Sequence, residues 1–169
     1  ILEINENWVY IKRLADQYEG WFNNRHFIKC SENCINHLQD SDHYITERPF
    51  NRLSVDNSPL ILPAGSILPF FNRTQKTFEI NNQRYTLHED LTNKETRKQE
   101  LIEKTALAFI NAPYLWGGKT VFGMDCSGFT QILCRIAGIQ IPRDSHQQVH
   151  VGVPVDFVKN AQTGDLAFF

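Results

Sequence analysis

The period of the hydrophobic pattern changes near residue 90, and this change limits the fold more than any other feature of the sequence. Before it, short alternating or β-branched apolar runs, separated by turn residues, predict strands at 1–4, 8–11, 20–22, 60–62, 67–72, 77–80 and 84–87. The stretch 40–57 between the two groups of strands is polar and rich in turn residues. Two groups of short strands with tight turns indicate one or two small β-barrels.

Helical periodicity replaces the alternation in the second half of the chain. Over 93–110, apolar residues recur three and four positions apart, and Thr92 with Glu95 forms a capping-box pattern at the start. A second helix is predicted at 126–137, where apolar residues repeat at helical spacing and Gly138 follows as a C-terminal glycine. We therefore expect an α+β protein with a domain boundary at the change of period.

The composition excludes several classes of protein. The chain has 169 residues, of which 41% are hydrophobic and 21% charged, and these globular values exclude wholesale disorder. No apolar run approaches the roughly 18–20 residues of a membrane-spanning helix, so we expect no membrane span in this chain. Its 17 Lys and Arg residues against 19 Asp and Glu give a net charge of -2, which argues against a nucleic-acid partner.

Four cysteines are too few for a disulfide scaffold. Cys30 and Cys34 lie between two histidines in an H-x3-C-x3-C-x2-H pattern over residues 26–37, and these are residue types that bind zinc. However, a single helix over this segment could not surround a tetrahedral ion with all four side chains. The alternative is that these cysteines pack as small hydrophobic residues, and we expect no metal site.

The two ends of the sequence lie inside strand-like patterns. The chain begins without Met in an alternating run and stops at G-D-L-A-F-F, for which we predict a turn at 163–164 and a strand at 166–169. Natural chains usually end in exposed, loosely held residues. We therefore expect these residues to be a piece of a longer protein.

Cys126 stands at the first position of the second predicted helix. The positive end of a helix and its free N–H groups stabilise a thiolate, and the same groups can stabilise an oxyanion. A cysteine nucleophile also needs a base, usually a histidine from elsewhere in the chain. The position of Cys126 therefore suits a nucleophile, while burial as a packing residue is the commoner role of a free cysteine.

Four short motifs follow one another in the second half of the chain: Y-L-W-G-G at 114–118, D-C-S-G-F at 125–129, I-P-R-D-S at 141–145 with Gln148, and G-D-L-A-F-F at 164–169. Each motif is weak alone, but the series closely resembles the NlpC/P60 family of papain-like cysteine peptidases. In that family the cysteine of the D-C-S-G segment is the nucleophile, so the resemblance assigns this role to Cys126. It implies that 91–169 is the N-terminal half of a truncated papain-like domain.

The same resemblance places the catalytic histidine, and the polar residue that orients it, on strands after the G-D-L-x-F-F strand. None of the six histidines of this sequence occupies that position. His146 and His150 follow the P-R-D-S segment, where surface or groove-lining roles are expected. We therefore expect the base to lie outside these 169 residues, which alone should be inactive.

The N-terminal half has a likeness of its own. The runs E-N-W-V-Y-I at 6–11 and Y-E-G-W at 18–21 resemble the latter half of a bacterial SH3-like domain. This implies SH3-like modules over 1–90, with 1–28 as the latter part of one barrel and 46–88 as a second barrel. SH3-like modules before an NlpC/P60 domain resemble the γ-D-glutamyl-L-diamino-acid endopeptidases of cell-wall turnover.

This resemblance implies a function. The protein would cut the bond after γ-D-Glu in peptidoglycan stem peptides that carry a free N-terminal L-Ala, with no metal or organic cofactor. The substrate implies the cell envelope, or the cytoplasm for an enzyme that recycles wall fragments. Diaminopimelate and Lys both stay open as the third stem residue. The alternatives are a cell-wall-binding SH3-like protein whose peptidase half is inactive, and an acyltransferase on a related fold.

Six residues besides Cys126 are candidates for binding the substrate under this resemblance. Asp125 and Ser127 flank the nucleophile and would hold the α-amine and backbone of the substrate, or else cap the helix. Tyr114 resembles the groove tyrosine near the oxyanion, and Ser145 resembles a substrate-contacting serine. Their alternatives are packing and a turn hydrogen bond.

The other two of these six candidates come from the N-terminal half. Glu19 would bind the free amine, since a carboxylate suits an ammonium group, or else be an ordinary solvated residue. Tyr44 is proposed as the tyrosine that the module contributes.

Overall fold

In the computed structural model, residues 1–27, 35–36, 43–91 and 98–169 are described. Their strands and α-helices are β1 (Glu3–Asn5), β2 (Trp8–Lys12), β3 (Glu19–Asn23), β4 (His43–Ile45), β5 (Phe50–Val55), β6 (Ser58–Pro63), β7 (Ile67–Pro69), β8 (Thr77–Ile80), β9 (Gln83–Leu87), α1 (Lys98–Ala108), β10 (Lys119–Thr120), β11 (Gly123–Met124), α2 (Cys126–Ile136) and α3 (Ser145–Gln148). Cys30 and Cys34, at which we expect no metal site, and the predicted capping box at Thr92 and Glu95 lie outside the described residues.

The first sheet is an antiparallel meander in the order β1–β2–β3. Val9, at its centre, pairs with Ile4 on one side and Phe22 on the other, and its side chain is buried. Alternation of apolar and polar residues therefore identified these three strands correctly.

The second group of strands contains a four-stranded antiparallel sheet in the order β6–β5–β9–β8 and a separate pair, β4 with β7. The prediction of a polar, turn-rich stretch at 40–57 was wrong, because β4 and β5 both lie within it. Asn51 and Leu53 alternate inward on β5 and are both buried. The amide of Asn51 donates to the carbonyls of Arg48 and Leu62, at 2.7 and 3.2 Å, so a polar side chain is satisfied inside the sheet.

One hydrophobic cluster lies beneath these strands. Its buried members come from most of the elements of the group: Tyr44, Leu53, Leu68, Phe71, Phe78 and Leu87. Within residues 1–27 and 43–91 the strands form separate open sheets, and no closed barrel is present among them. The SH3-like interpretation of these residues stays a prediction.

Two helices confirm the change of period. α1 (Lys98–Ala108) lies within the predicted 93–110, and α2 (Cys126–Ile136) matches the second prediction to within a residue. α2 ends as its sequence predicts. Gly138 takes a positive φ of 71°, and the N–H of Ile139 donates to the carbonyl of Cys134 at 2.7 Å.

A second cluster joins the helices to the strands. It contains Ala64 from the end of β6 together with Phe109, Met124, Ile132 and Ile136. At the same contact, Arg135 donates to the carbonyl of Gly65 at 3.3 Å. One face of α2 therefore packs against the β-rich half, which we take as residues 1–91. This contact fixes the direction of the helix.

The strand predicted at 166–169 is absent. Residues 165–169 are exposed and belong to no strand, although the turn at 163–164 is present. A strand needs a neighbour for its backbone N–H and C=O groups, and no described strand pairs with this run. In the described part of the chain, no helix combines the length and apolar character needed to cross a membrane.

Candidate active site

Cys126 is the first residue of α2, and its side chain is exposed and unpaired with another cysteine. The preceding residue, Asp125, has extended backbone with φ -97° and ψ 171°, and its carboxylate accepts the N–H of Gly128 at 2.6 Å. Asp125 is therefore the N-cap of the helix. The predicted position of the cysteine, at a helix N-terminus where a thiolate is stabilised, is confirmed.

Glycines bring the preceding loop against this end of the helix. The N–H of Asp125 donates to the carbonyl of Gly118 at 3.1 Å. A Cβ at Gly128 would collide with that same carbonyl, and one at Gly118 would lie 2.9 Å from the carbonyl of Leu115. The W-G-G turn can approach the first turn of α2 this closely only because Gly128 has no side chain, while Gly118 lets the loop before α2 fold tightly on itself.

Arg143 binds both chain neighbours of Cys126. Its Nη1 donates to Oδ1 of Asp125 at 3.1 Å and to Oγ of Ser127 at 2.7 Å, and its Nη2 donates to Oδ2 of Asp125 at 2.7 Å. The side chains of Arg143 and Asp125 are each 8% exposed. This is a buried, bidentate ion pair beside the cysteine.

The charge state of Asp125 follows from its partners. Burial by itself would raise the pKa of this carboxyl. Hydrogen bonds from Arg143 and from the backbone N–H groups of Gly128 and Gly117 outweigh burial, so the pKa lies below its usual value. Asp125 is therefore an ionised carboxylate whose two oxygens already accept several hydrogen bonds, which fits the capping alternative better than an amine-binding role.

Gln148 fixes the segment that carries Arg143. Its Nε2 donates to the carbonyls of Ser127 and Pro142, at 3.0 and 2.9 Å, while its Oε1 accepts from Oγ1 of Thr130 at 2.7 Å. The side chain is 1% exposed. Gln148 therefore ties the loop before α3 to the first turns of α2.

The start of α2 (125–128), the W-G-G turn (116–118) and the loop that carries Arg143 form what we call the corner. Four of the predicted substrate-binding residues lie in or beside it. Asp125 and Ser127 flank the cysteine and are buried. Ser145 is exposed at the first position of α3, two residues after Arg143. Tyr114 is exposed and forms a parallel bridge with Met124, two residues before Cys126.

Glu19 and Tyr44, the other two candidates, lie in the strands of the N-terminal half. Glu19 begins β3, and its half-exposed carboxylate forms an ion pair with Lys12 at 3.2 Å. Tyr44 is 6% exposed, and its ring stacks on Phe71 with 5.0 Å between centroids. These are the contacts of a core side chain in the second group of strands, which fits a packing residue better than a substrate contact.

A polar chain connects the first sheet to α2. Nε2 of Gln131 donates to Oδ2 of Asp16 and to the carbonyl of Ile141, both at 3.0 Å, and Oε1 of Gln131 accepts from Nζ of Lys119. Asp16 lies in the loop between β2 and β3 and also pairs with Arg13 at 3.0 Å. This contact docks the loop of the first sheet onto α2.

Lys119 is unusual in this chain of contacts. Burial, reinforced by the nearby positive charges of Arg13 and Arg135, lowers the pKa of Lys119 to about 8. Its hydrogen bond to Gln131 requires only a neutral acceptor. At neutral pH Lys119 is therefore still mostly charged, and the nearby carboxylate of Asp16 favours this charged form.

No role was predicted from sequence for four residues of these contacts: Arg143, Gln148, Gln131 and Asp16. The signal for the first two was present, because the spacing P-R-D-S-x-x-Q was noted, but only the serine was interpreted. Gln131 and Asp16 are 115 residues apart, and no local pattern marks such a pair.

Three of the described histidines differ in their surroundings. His88 is hydrogen-bonded to Oγ of Ser54 at 2.9 Å in the second group of strands, whereas His146 and His150 are exposed. Within the described ranges, no cluster of His, Cys, Asp and Glu is arranged to hold a metal ion.

The fold and the site together define a mixed α+β protein with an exposed cysteine at the capped start of a helix. Comparison with known proteins agrees: the model of the NlpC/P60 family matches residues 111–169. A curated relative, dipeptidyl-peptidase 6 of Lysinibacillus sphaericus, is 30% identical over an alignment that covers 100% of this chain and 69% of the relative. The chain belongs to the NlpC/P60 family.

Two further similarities are partial. The γ-D-glutamyl-L-lysine dipeptidyl-peptidase of Bacillus subtilis is 35% identical over 62% of this chain, which spans only 36% of that relative. The crystal structure of an NlpC/P60 family protein from Bacillus cereus matches with a TM-score of 0.73 and 23% identity, covering 95% of this chain and 58% of that one. At this identity the structural match shows the fold alone.

Proposed function

We propose that this chain supplies the nucleophile of a cysteine endopeptidase that hydrolyses the γ-D-glutamyl-L-diamino acid bond of peptidoglycan stem peptides. The observation that carries the proposal is the exposed thiol of Cys126 at the capped N-terminus of α2. The name of the Bacillus subtilis relative supports the γ-D-glutamyl bond as the class of bond. The substrate would place the protein in the cell envelope.

The reaction proceeds by acyl transfer through the thiol. The thiolate of Cys126 attacks the γ-carbonyl carbon of D-Glu, and backbone N–H groups at the start of α2 stabilise the oxyanion. The C–N bond then breaks, the amine of the diamino acid leaves with a proton, and a thioester remains on Cys126. Water hydrolyses the thioester. In the proposed scheme, a histidine in a segment that follows the G-D-L-A-F-F run shuttles the proton, and no cofactor takes part.

The exposed residues around the corner are the proposed substrate contacts. Tyr114 and Ser145 are exposed on segments that adjoin the start of α2, and the hydroxyl of Ser127 is already engaged by Arg143. We place the two SH3-like modules in the β-rich half, and we expect the first of them to close one end of the groove. Its docking through Asp16 and Gln131 supports this arrangement.

The closed groove predicts a preference for a free N-terminal L-Ala. The ammonium group of L-Ala would pair with Glu19, replacing its contact with Lys12. Acetylating the amine removes the charge and adds bulk where the groove ends. We expect kcat/KM to fall by about a hundredfold, equivalent to about 2.7 kcal/mol.

The test compares L-Ala-γ-D-Glu-L-diamino acid peptides, with Lys or diaminopimelate, and their N-acetylated forms as substrates of the full-length protein. Mass spectrometry identifies the bond that is cut. Glu19→Gln should reduce the discrimination, and Glu3→Gln, on the exposed β1, is the control. Equal rates on free and acetylated peptides would contradict the closed groove, and cleavage at another bond would contradict the proposed function.

A further inference from the structure

Arg143 occupies a position that the proposed reaction does not yet explain. Its guanidinium reaches around the nucleophile and hydrogen-bonds to the residue before it, Asp125, and to the residue after it, Ser127. Cys126 lies between these two anchored neighbours and remains exposed. The arrangement holds the backbone on both sides of the thiol while leaving the thiol open to solvent.

The electrostatics of the corner require a partner for Asp125. Its carboxylate directly precedes Cys126 in sequence, and a negative charge this close opposes the formation of a thiolate. Because the carboxylate and the guanidinium are each 8% exposed, solvent screens them little, and their bidentate contact at 2.7 and 3.1 Å cancels most of the charge. Without Arg143, the buried carboxylate next to Cys126 in sequence would lose its cationic partner.

Other charged and titratable groups border the corner. Lys119 lies on β10, Asp144 precedes α3, His146 lies on α3, and Tyr18 lies between β2 and β3 near Arg143. Asp144 and Tyr18 favour the charged form of Arg143, as Asp125 does. None of these four groups replaces the bidentate contact with Asp125.

We propose that Arg143 is a positioning residue for Cys126, which fixes the N-terminus of α2 through Asp125 and Ser127 and neutralises Asp125 so that the thiolate faces no unpaired negative charge. The inference rests on the proposed function, in which Cys126 is the nucleophile. Arg143 itself touches no reacting atom.

The experiment measures the rate of alkylation of Cys126 by iodoacetamide between pH 5 and 10, with mass-spectrometric mapping to separate it from the other three cysteines of the sequence. Arg143→Gln should move the pH midpoint of alkylation upward by about one unit, a tenfold slower reaction below the midpoint. Arg143→Lys, which keeps the charge, should restore most of the shift. Asp125→Asn, which keeps a capping side chain and removes the negative charge, should move the midpoint downward.

A purely structural role predicts a different result. In that case the variants would lower the melting temperature while the midpoint of each folded protein stayed that of the parent, and this outcome would overturn the proposal. If Arg143→Gln does not fold, because it leaves a buried carboxylate unpaired, the double variant Asp125→Asn/Arg143→Gln and the single Asp125→Asn still decide the question. The double variant should return to the parent midpoint, and a midpoint as high as that expected for Arg143→Gln would contradict charge compensation.

The alkylation readout does not depend on peptidase activity. Full hydrolytic activity in Cys126→Ala would therefore refute the proposed function while leaving the effect of Arg143 on the thiol measurable. Conversely, if the parent is fully active and the midpoint of Arg143→Gln equals that of the parent, only the role of Arg143 is refuted.

Discussion

Asp125 shows how far single residues can be interpreted from sequence. An aspartate directly before a helix predicts an N-cap, and the structure confirms that its carboxylate accepts the N–H of Gly128. Its ion pair with Arg143 was not predicted, because the two residues are 18 positions apart and their meeting depends on how the loop after α2 returns. Local chemistry was therefore predictable, and the long-range partner that completes the site was not.

Glu89 is a second buried carboxylate with cationic partners, and it predicts an acid-sensitive contribution to stability. Its Oε1 accepts from Nε of Arg52 at 2.9 Å and from the N–H of Arg52 at 3.2 Å. The hydrogen bond from the Arg52 side chain lowers the pKa of Glu89, against the opposing effect of burial. A lowered pKa in the folded state contributes stability above the unfolded value of about 4.3, and this contribution is lost as the pH falls through the folded value.

We therefore expect Glu89→Gln to flatten the loss of stability between about pH 5 and pH 3. Urea denaturation at each pH measures the free energy of unfolding. Glu79→Gln is the matched control, because Glu79 pairs with Arg84 at 3.0 Å on the surface and should leave the slope unchanged. A slope that is the same in the parent and in Glu89→Gln would show that the contact does not survive in solution.

At the scale of elements, the period of the sequence was informative where one face is apolar. α2 was predicted correctly because its apolar residues repeat at helical spacing and Gly138 ends it. β5 was missed because a buried Asn51 disguises its inward face. The strand at 166–169 was predicted from apolar residues alone, but a strand also needs a neighbour, which sequence pattern does not show.

The first turn of α2 predicts an inverted effect for a substitution that usually stabilises helices. Replacing a helical glycine by alanine normally raises the free energy of unfolding by up to about 1 kcal/mol. Gly128→Ala should do the opposite. Here the new Cβ would collide with the carbonyl of Gly118 and lie 2.8 Å from Oδ1 of Asp125. We expect a net destabilisation of about 1–3 kcal/mol, measured by chemical denaturation.

Gly20→Ala is the control for this substitution. A Cβ at Gly20 would meet only the ring of Tyr18 at 3.8 Å, an ordinary contact. Its effect should therefore be small. Equal stability of Gly128→Ala and the parent would mean that the W-G-G turn is not packed against α2 as described.

At the scale of the whole molecule, contacts from both groups of strands join the β-rich half to the helices. Ala64 packs into the cluster of Ile132 and Ile136, and Asp16 accepts a hydrogen bond from Gln131. The sequence predicted the boundary near residue 90 but neither contact, because each joins residues that are far apart along the chain.

The contact through Gln131 predicts a coupling between the first sheet and α2. Gln131→Ala should destabilise the protein by about 1–3 kcal/mol, since it leaves the partly buried carbonyl of Ile141 and the carboxylate of Asp16 without this donor. In a double-mutant cycle with Asp16→Ala, the two effects should be less than additive by at least about 0.5 kcal/mol. Gln147→Ala, on the exposed side of α3, should change stability by less than about 0.5 kcal/mol. Additive effects in the cycle would show that the first sheet does not dock on α2.

The central claim is that Cys126 forms a covalent acyl-enzyme, and trapping that intermediate tests it most directly. The full-length protein is mixed with an L-Ala-γ-D-Glu-L-diamino acid peptide, quenched in acid and mapped by mass spectrometry. We expect an L-Ala-γ-D-Glu adduct on the peptide that contains Cys126, and a loss of turnover of at least about a thousandfold in Cys126→Ala. Cys134→Ala, at a buried position of the same helix, should keep both the adduct and the turnover. Turnover that survives in Cys126→Ala, or an adduct on another residue, would contradict the account.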